Sequence, residues 1–520
     1  MQTSLNSRST DNLYGRRVGW LTALTVLAKV IGALYRIPLT NVIGAEAVGV
    51  YQLIFSIYAL AIAATSAFHT TLISREVAAY RAMGEQEKAR GYFLTTFSEG
   101  AITSALVGAI LFLLGENIAL AQGAAGGGLG YKVIAPAVLL VSFLSSLKGW
   151  FNGNMDLVPT AASVVIEQVV KLSVGITLAL WLRDRGVVYA ASAALGGVTA
   201  SEAVTVLVLA VVYLMKREKG AMARIPVRQV IKEGFPLRLN GVIMPLAAFA
   251  DSLIVVRLLG RFGMERGEAL SAYGIYSGAV NAIVNFPVVL VLSVAIAIIP
   301  VIAGSMAMRN METLKEKAGL TVKITLVISL PCALALAVLA PQLMSLFYPV
   351  FTEEQLALAT TLMSIGAASV VFLSLTQIYA ALLQSVDRAE VAAEALAVSV
   401  LVRVILMYVT VPRIGAAGIA LSTLASYVLV TFLDLFKWLQ YTGRAKNALK
   451  TLASVTLSGA IMLVTILAPA MLLKSAVLSL AISAAVGSVT YLFTVLKLKV
   501  FSEKELLAMP FSSITTRIGR

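Results

Sequence analysis

Long apolar stretches separated by short polar segments run through almost the whole chain of 520 residues. A helix needs about 20 apolar residues to cross a membrane, whereas a strand of a membrane barrel needs only about 9–11. The stretches here are far longer than such strands, so the pattern predicts an all-α polytopic membrane protein. We expect about fourteen transmembrane helices, at residues 18–43, 48–74, 91–115, 131–151, 159–183, 187–215, 227–259, 270–303, 316–343, 355–384, 391–411, 415–439, 448–472 and 475–497.

The positions of the basic residues predict how these helices are oriented. If the amino terminus is cytoplasmic and the sides alternate, 28 of the 41 Lys and Arg residues face the cytoplasm, including Lys148. Only 8 face outside, and 5 remain within the spans. Cytoplasmic segments are normally enriched in Lys and Arg. We therefore expect both termini in the cytoplasm and an even number of spans.

Composition agrees with a membrane protein and excludes several other classes. Hydrophobic residues make up 59% of the chain and charged residues 13%, against about a quarter in a soluble domain. A single cysteine, Cys332, excludes a secreted disulfide scaffold. The net charge of +15 would suggest nucleic acid in a soluble protein. Here membrane topology explains it, so we expect no nucleic-acid partner.

Weak internal similarity predicts a duplicated architecture. Segments 152–171 and 384–403 each run from a polar residue into a helix with a basic residue near its middle, at an offset of 232 residues. Segments 49–51 and 274–276 match at an offset of 225. Many transporters contain such repeats.

The repeat predicts three parts of the chain. Residues 1–220 and 221–440 would each form a six-helix lobe, and residues 441–520 would add two transmembrane helices and a cytoplasmic tail. Because six is even, both lobes would have the same orientation, related by an axis along the membrane normal.

Five basic residues within the predicted spans are the main functional signal. A charge at the centre of a bilayer costs about 2.5–3.5 kcal/mol even on the lenient insertion scale, so it normally faces a protein interior or a water-filled cavity. Their division between both lobes predicts a shared cationic cavity. Such a cavity would favour a phosphate or pyrophosphate group and disfavour an organic cation. The five are Lys29, Arg36, Lys171, Arg238 and Arg403.

Local neutralisation is the alternative explanation for each of these charges. Glu167 lies four residues before Lys171, on the same helical face. Glu202 and Asp251 also lie deep in their spans, and Asp434 lies nearer a cytoplasmic end. Glu167, Glu202 and Asp251 are therefore the possible charge partners.

Motifs for catalysis or for nucleotide and metal binding are missing from the sequence. His69 is the sole histidine, which excludes a multi-histidine metal site, and we expect it to have a packing or interfacial role. No Gly-Lys dipeptide is present, so there is no Walker A loop. We therefore expect neither an enzyme nor a cofactor nor a metal.

Two segments resemble a known family. The segment 29–51, K-V-I-G-A-L-Y-R-I-P-L-T-N-V-I-G-A-E-A-V-G-V-Y, resembles the first-helix signature of the stage V sporulation protein B group. That group belongs to the polysaccharide transporter branch of the multidrug/oligosaccharidyl-lipid/polysaccharide exporter superfamily. Segment 150–171, with Pro159, Glu167 and Gln168, resembles the fourth-to-fifth helix region of the same family.

The resemblance implies a twelve-helix, two-lobed core with a V-shaped central cavity that works by alternating access. The fourteen-helix count is similar to that of the peptidoglycan lipid II flippases. In those proteins basic residues of the first helix and the cavity engage pyrophosphate, and the last two helices form a groove for the polyprenyl tail. By this resemblance Lys29 fits the first-helix basic position, and Arg36 matches it approximately.

The leading hypothesis is thus a monomeric flippase of the bacterial cell membrane. It would move an undecaprenyl-pyrophosphate-linked glycan, a lipid II-type cell-wall precursor or a polysaccharide repeat unit, from the inner to the outer leaflet. Its partners would be this lipid-linked glycan and membrane lipids. A multidrug/cation antiporter, a membrane-embedded glycan polymerase or ligase, and a non-transporting scaffold remain as alternatives.

Overall fold

The fold is described from a computed structural model. The described residues are 32, 35–217, 220–308, 310–443, 448–473, 475–502 and 505. Lys29 and most of the first predicted span lie outside them. All regular structure in the described part is helical.

The chain forms two compact units, residues 1–274 and residues 275–520. The described helices of unit 1 are α1 Arg36–Thr65, α2 His69–Ala82, α3 Gln86–Ala121, α4 Gly128–Gly153, α5 Leu157–Leu182, α6 Val187–Lys216, α7 Val227–Phe262 and α8 Arg266–Gly274. Unit 2 begins with the π-helical segment Ile275–Val280. Its α-helices are α9 Asn281–Ala307, α10 Met311–Val338, α11 Ala340–Phe347, α12 Glu353–Ala367, α13 Ser369–Ser385, α14 Ala389–Ile414, α15 Ala416–Thr442, α16 Ala448–Leu472 and α17 Ala476–Lys497.

Thirteen helical stretches among the described residues are long and apolar enough to cross a membrane. They correspond in order to the second through fourteenth predicted spans. The prediction of an all-α polytopic protein is therefore confirmed. The cytoplasmic placement of the termini and the lobe boundaries at residues 220 and 440 stay predictions.

Several predicted spans are broken into shorter helices. The span predicted at 48–74 is interrupted at residues 66–68, between α1 and α2. The span predicted at 270–303 contains the π-helical segment between α8 and α9. These breaks fall among apolar residues, so apolar length could not reveal them. By contrast, Gly44 interrupts α1 at the predicted boundary of the first two spans, with φ 77° and ψ 167°, a conformation open to glycine.

Helix α1 is the central packing element of unit 1. It lies against α4, α5, α6, α7 and α8, and most of its side chains are buried. Its backbone touches that of α8 at Gly49 and Gly274. A Cβ atom on Gly49 would lie 2.1 Å from the Leu270 carbonyl oxygen, and one on Gly274 would lie 2.0 Å from the Ala45 carbonyl oxygen. Only glycine allows this approach.

We expect Gly274→Ala to destabilise unit 1 by about 1–3 kcal/mol, because the added methyl group overlaps a backbone carbonyl that cannot rotate away. Gly241→Ala is the matched control, since nothing lies within 4 Å of the methyl group it adds. That substitution should be neutral or stabilise α7 by up to about 1 kcal/mol. Denaturant unfolding in detergent measures both variants. Equal stability of the two would contradict the close packing of α1 and α8.

Unit 2 has its own core, in which α9, α10, α13 and α15 meet. Ile378, Leu382 and Trp438 are among its buried residues. Helices α16 and α17 pack against each other, and α16 also packs against α10. The Tyr491 hydroxyl of α17 donates a hydrogen bond of 3.0 Å to the Val327 carbonyl. The last two helices are thus fixed to the remainder of unit 2 through α10.

Candidate functional site

Unit 1 contains a cavity of about 300 Å³ between α1, α4 and α5. Its lining carries three basic side chains, Arg36, Lys148 and Lys171, and one acidic side chain, Glu167. A larger cavity of about 430 Å³ lies between α3 and residues 222–226, but Arg224 is the only charged side chain in its lining. The smaller cavity, named the cationic cavity below, therefore has the stronger chemical signal.

Glu167 holds the two lysines of the cationic cavity. Its Oε1 atom lies 3.3 Å from Lys171 Nζ, and its Oε2 atom lies 3.6 Å from Lys148 Nζ. Glu202, buried on α6, is near enough to act electrostatically on Lys171. With every group ionised, the three basic and two acidic residues leave one net positive charge. This surplus favours an anionic ligand.

Lys148 is a site residue that the sequence analysis missed. Its position near the end of the predicted span 131–151 places it among the cytoplasmic lysines in the charge count. In the structure α4 continues to Gly153, and Lys148 faces Glu167 on α5. One feature of the sequence could have identified Lys148 as a site residue: it lies inside the predicted apolar span, three residues before the end of that span.

Aromatic side chains complete the wall of the cationic cavity. The rings of Tyr51 and Phe55 stack with centroids 5.6 Å apart. Tyr35 is 4% exposed, and its hydroxyl has no hydrogen-bond partner among the described residues. A buried hydroxyl gains stability from a partner, so an anionic oxygen in the cavity would suit it.

Arg238 belongs to a different cluster, on α7. Its Nη2 atom donates a 2.8 Å hydrogen bond to Glu99 Oε1 on α3, and its guanidinium lies 4.7 Å from the centre of the Phe68 ring. The second oxygen of Glu99 lies 3.3 Å from His69 Nε2. Ser146 Oγ lies 3.3 Å from the other ring nitrogen of His69. Thus the histidine has polar partners as well as a packing role.

The other predicted site residues are not part of the lining of the cationic cavity or lie outside the described residues. Asp251 is buried on α7, beside Ser252, whose hydroxyl accepts a hydrogen bond of 2.9 Å from Gln122. Arg403 lies half-buried on α14 of unit 2. Lys29 precedes the described chain. In unit 1, therefore, Arg36 and Lys171 come together with Glu167 and Glu202, while Arg238 pairs with Glu99.

Metal binding has no support in the described part of the chain. Within it, no group of three or more His, Cys, Asp or Glu side chains is placed to hold an ion. The chemistry available to the cationic cavity is ionic and hydrogen-bonding recognition of an anion.

Matches to known family models identify the family to which the chain belongs. The family model described as polysaccharide biosynthesis protein matches residues 14–306, more than half of the chain. The chain belongs to this polysaccharide biosynthesis protein family. A second model, MatE, matches residues 236–409. Both matches place the chain in the multidrug/oligosaccharidyl-lipid/polysaccharide exporter superfamily, as the first-helix resemblance implied.

Three proteins of Bacillus subtilis (strain 168) are similar to this polysaccharide biosynthesis family member over most of its length. The uncharacterized membrane protein YabM is 25% identical over 95% of this chain and 94% of its own. Stage V sporulation protein B is 25% identical over 63% of this chain and 65% of its own. The lipid II flippase MurJ is 24% identical over 74% of this chain and 75% of its own.

Solved structures share the fold of this family member. The inward closed conformation of lipid II flippase MurJ has a TM-score of 0.68 and 14% identity, covering 94% of this chain and 98% of that chain. The inward-facing conformation of a multidrug resistance MATE transporter has a TM-score of 0.62 and 17% identity, covering 81% of this chain and 96% of that chain. The thirteen candidate spans, the family match and the similarity to the Bacillus subtilis relatives together support a multi-pass protein of the bacterial cell membrane.

Proposed function

We propose that this protein is a flippase that moves an undecaprenyl-pyrophosphate-linked glycan from the inner to the outer leaflet by alternating access. The cationic cavity is the observation that carries the proposal. Arg36, Lys148 and Lys171 line a space of about 300 Å³ whose net charge is positive. A pyrophosphate group carries the opposite charge and several strong acceptor oxygens.

Each cavity group has a distinct part in this proposal. Arg36 offers a planar guanidinium that can donate two parallel hydrogen bonds to phosphate oxygens. Lys148 and Lys171 offer point charges, which Glu167 keeps at the cavity wall until the substrate arrives. The anion then competes with Glu167 for both lysines. The Tyr35 hydroxyl supplies a neutral donor.

The remaining basic residues predicted from the sequence also have roles in this proposal. Lys29 and Arg403 would add charge to the substrate path, and Arg238 would act after release from Glu99. The glycan would be a lipid II-type cell-wall precursor or a polysaccharide repeat unit, as the similarity to MurJ supports. The sequence has no Walker A loop, so an ion gradient or the membrane potential would supply any energy required.

A multidrug/cation antiporter is the second candidate function. The MatE match over residues 236–409 and the likeness to multidrug transporter structures favour it. An antiporter for organic cations needs a surplus of acidic groups in its cavity. The cationic cavity instead has three basic side chains to one acidic side chain in its lining, which favours the flippase.

Reconstitution in proteoliposomes separates the two functions. We expect the purified protein to move labelled lipid II, or another polyprenyl-diphosphate glycan, between leaflets faster than protein-free vesicles do. It should not drive the uptake of a cationic dye. Dye transport without lipid movement would reject the flippase proposal and support the antiporter.

A further inference from the structure

Two buried carboxyl groups lie at matching positions of the sequence repeat. Glu202 on α6 and Asp434 on α15 are 232 residues apart, the same offset that relates Lys171 to Arg403. Each acid lies on the helix that directly follows the helix of the basic residue. The repeat therefore places a basic residue and an acidic residue on consecutive helices in both units.

Asp434 is enclosed by protein without a partner for its charge. It is 1% exposed, and neither carboxylate oxygen has a hydrogen-bond partner among the described residues. Lys437, three residues further along α15, is exposed. Buried carboxylates without a partner are strongly disfavoured, because the ionised form loses its hydration. The neutral acid, which carries one proton, is the form that fits this position.

The described side chains of the helices around Asp434 make no hydrogen bond to its carboxylate oxygens. Helix α15 packs against α12, α13 and α14. Asp434 forms no hydrogen bond or ion pair with the ionisable side chains of these helices that the structure describes, because both of its oxygens are without a partner. Those side chains are Glu353, Glu354, Tyr379, Glu390, Glu394, Arg403, Tyr408 and Arg413.

Glu202 is in a comparable position in unit 1. It is 5% exposed, and its Oε2 atom has no hydrogen-bond partner among the described residues. The groups acting on it from neighbouring helices are Glu167 and Lys171 on α5, Lys148 on α4 and Tyr58 on α1. Both lysines already pair with Glu167, whose negative charge disfavours a second carboxylate nearby.

We infer that Glu202 and Asp434 are a repeat-related pair of proton-binding sites, one in each unit. Each carboxylate takes one proton from hydronium, forming an O–H bond and leaving a water molecule, and gives the proton back to water as hydronium when the surrounding helices admit solvent. Hydronium is the only co-reactant needed. The two buried carboxyl groups are thus proton carriers, one in each unit.

Proton binding at Glu202 also alters the cationic cavity, and this part of the inference rests on the proposed function. The five charged groups in and beside the cavity are Arg36, Lys148, Lys171, Glu167 and Glu202. Their net charge is +1 when Glu202 is ionised and +2 when Glu202 is protonated. A diphosphate therefore binds more tightly to the protonated form. Because linkage is reciprocal, a bound diphosphate also strengthens proton binding at Glu202.

Protein stability tests proton binding without any transport assay. A folded state that holds a proton lost on unfolding becomes less stable as pH rises. We expect the wild-type protein in detergent to become less stable, with a lower unfolding midpoint, as the pH is raised from about 5 to about 9. Asp434→Asn and Glu202→Gln should each reduce this fall. The exposed-site variants Asp387→Asn and Glu390→Gln are matched controls and should retain it.

Infrared spectroscopy gives a second readout on the wild-type protein. A protonated carboxyl has a C=O stretch that a carboxylate lacks, and this band should persist near neutral pH and weaken in Asp434→Asn. Wild-type stability whose pH dependence is unchanged in both variants, or an absent band, would overturn the proton sites. If diphosphate fails to bind at any pH while these readouts hold, the proposed function fails and the proton sites stand.

Linkage between the proton and the anion is measured by titrating inorganic pyrophosphate into the purified protein. We expect wild-type affinity to fall by about fivefold or more as pH rises across the titration of Glu202. Glu202→Gln mimics the protonated acid and meets the same ionisation of the ligand, so its affinity should fall at least about fivefold less than that of wild type over this range. The same decline in wild type and variant would overturn the link between Glu202 and the cavity.

Discussion

Arg238→Met is expected to lower the free energy of unfolding by about 3 kcal/mol, because it leaves Glu99 as a buried charge without its strongest partner. The Glu99 side chain is 5% exposed, and the Arg238 guanidinium donates to it at 2.8 Å. His69, the other partner of Glu99, is fully buried and cannot replace an arginine that stays charged at all accessible pH values. Denaturant unfolding in detergent measures the loss.

Two further variants show whether that loss comes from the buried ion pair. Arg75→Met removes the same side chain from an exposed pair, in which Arg75 Nε lies 2.8 Å from Glu76, and should cost less than about 1 kcal/mol. Adding Glu99→Gln to Arg238→Met removes the stranded charge and should restore most of the stability. Equal stability of Arg238→Met and Arg75→Met would contradict the ion pair described for unit 1.

Replacing Lys148 and Lys171 together by alanine is expected to weaken binding of a polyprenyl-diphosphate lipid by about a hundredfold. A hydrogen bond to a charged group contributes about 1.5–3 kcal/mol, and about 1.4 kcal/mol corresponds to a factor of ten in affinity. Both lysines line the cationic cavity. Their removal also leaves Glu167 facing the anion, which adds repulsion.

Lys132→Ala is the matched control for this variant. Lys132 lies on the same helix as Lys148, but it is exposed and is not part of the cavity lining. Titration of the purified proteins with the lipid in detergent should give wild-type affinity for the control. If Lys148→Ala/Lys171→Ala binds the lipid as tightly as the control does, the cationic cavity is not its binding site.

The fold was largely predictable because membrane insertion depends on apolar length. That criterion located thirteen spans which the described residues confirm. It missed the break at residues 66–68 and the π-helical segment Ile275–Val280, since both consist mainly of residues that continue an apolar stretch. Helix continuity there depends on packing with neighbouring helices, which hydropathy does not report.

The site was predictable only where its contacts are local in sequence. Glu167 and Lys171 are four residues apart on one helix, so their proximity follows from helical geometry. Arg238 and Glu99 are separated by 139 residues, and only the packing of α7 near α3 brings them together. Lys148 was assigned to a cytoplasmic boundary because charge counting cannot show which way a side chain faces.

Lipid translocation by the reconstituted protein is the direct test of the proposed flippase function. Wild-type protein, Lys132→Ala and Lys148→Ala/Lys171→Ala would be placed in vesicles at equal density, with labelled lipid II in the inner leaflet. We expect rapid appearance of label in the outer leaflet for wild type and Lys132→Ala, and a rate lower by tenfold or more for the double variant, about one factor of ten per 1.4 kcal/mol lost. Equal rates for all three proteins would contradict a role of the cationic cavity in lipid translocation.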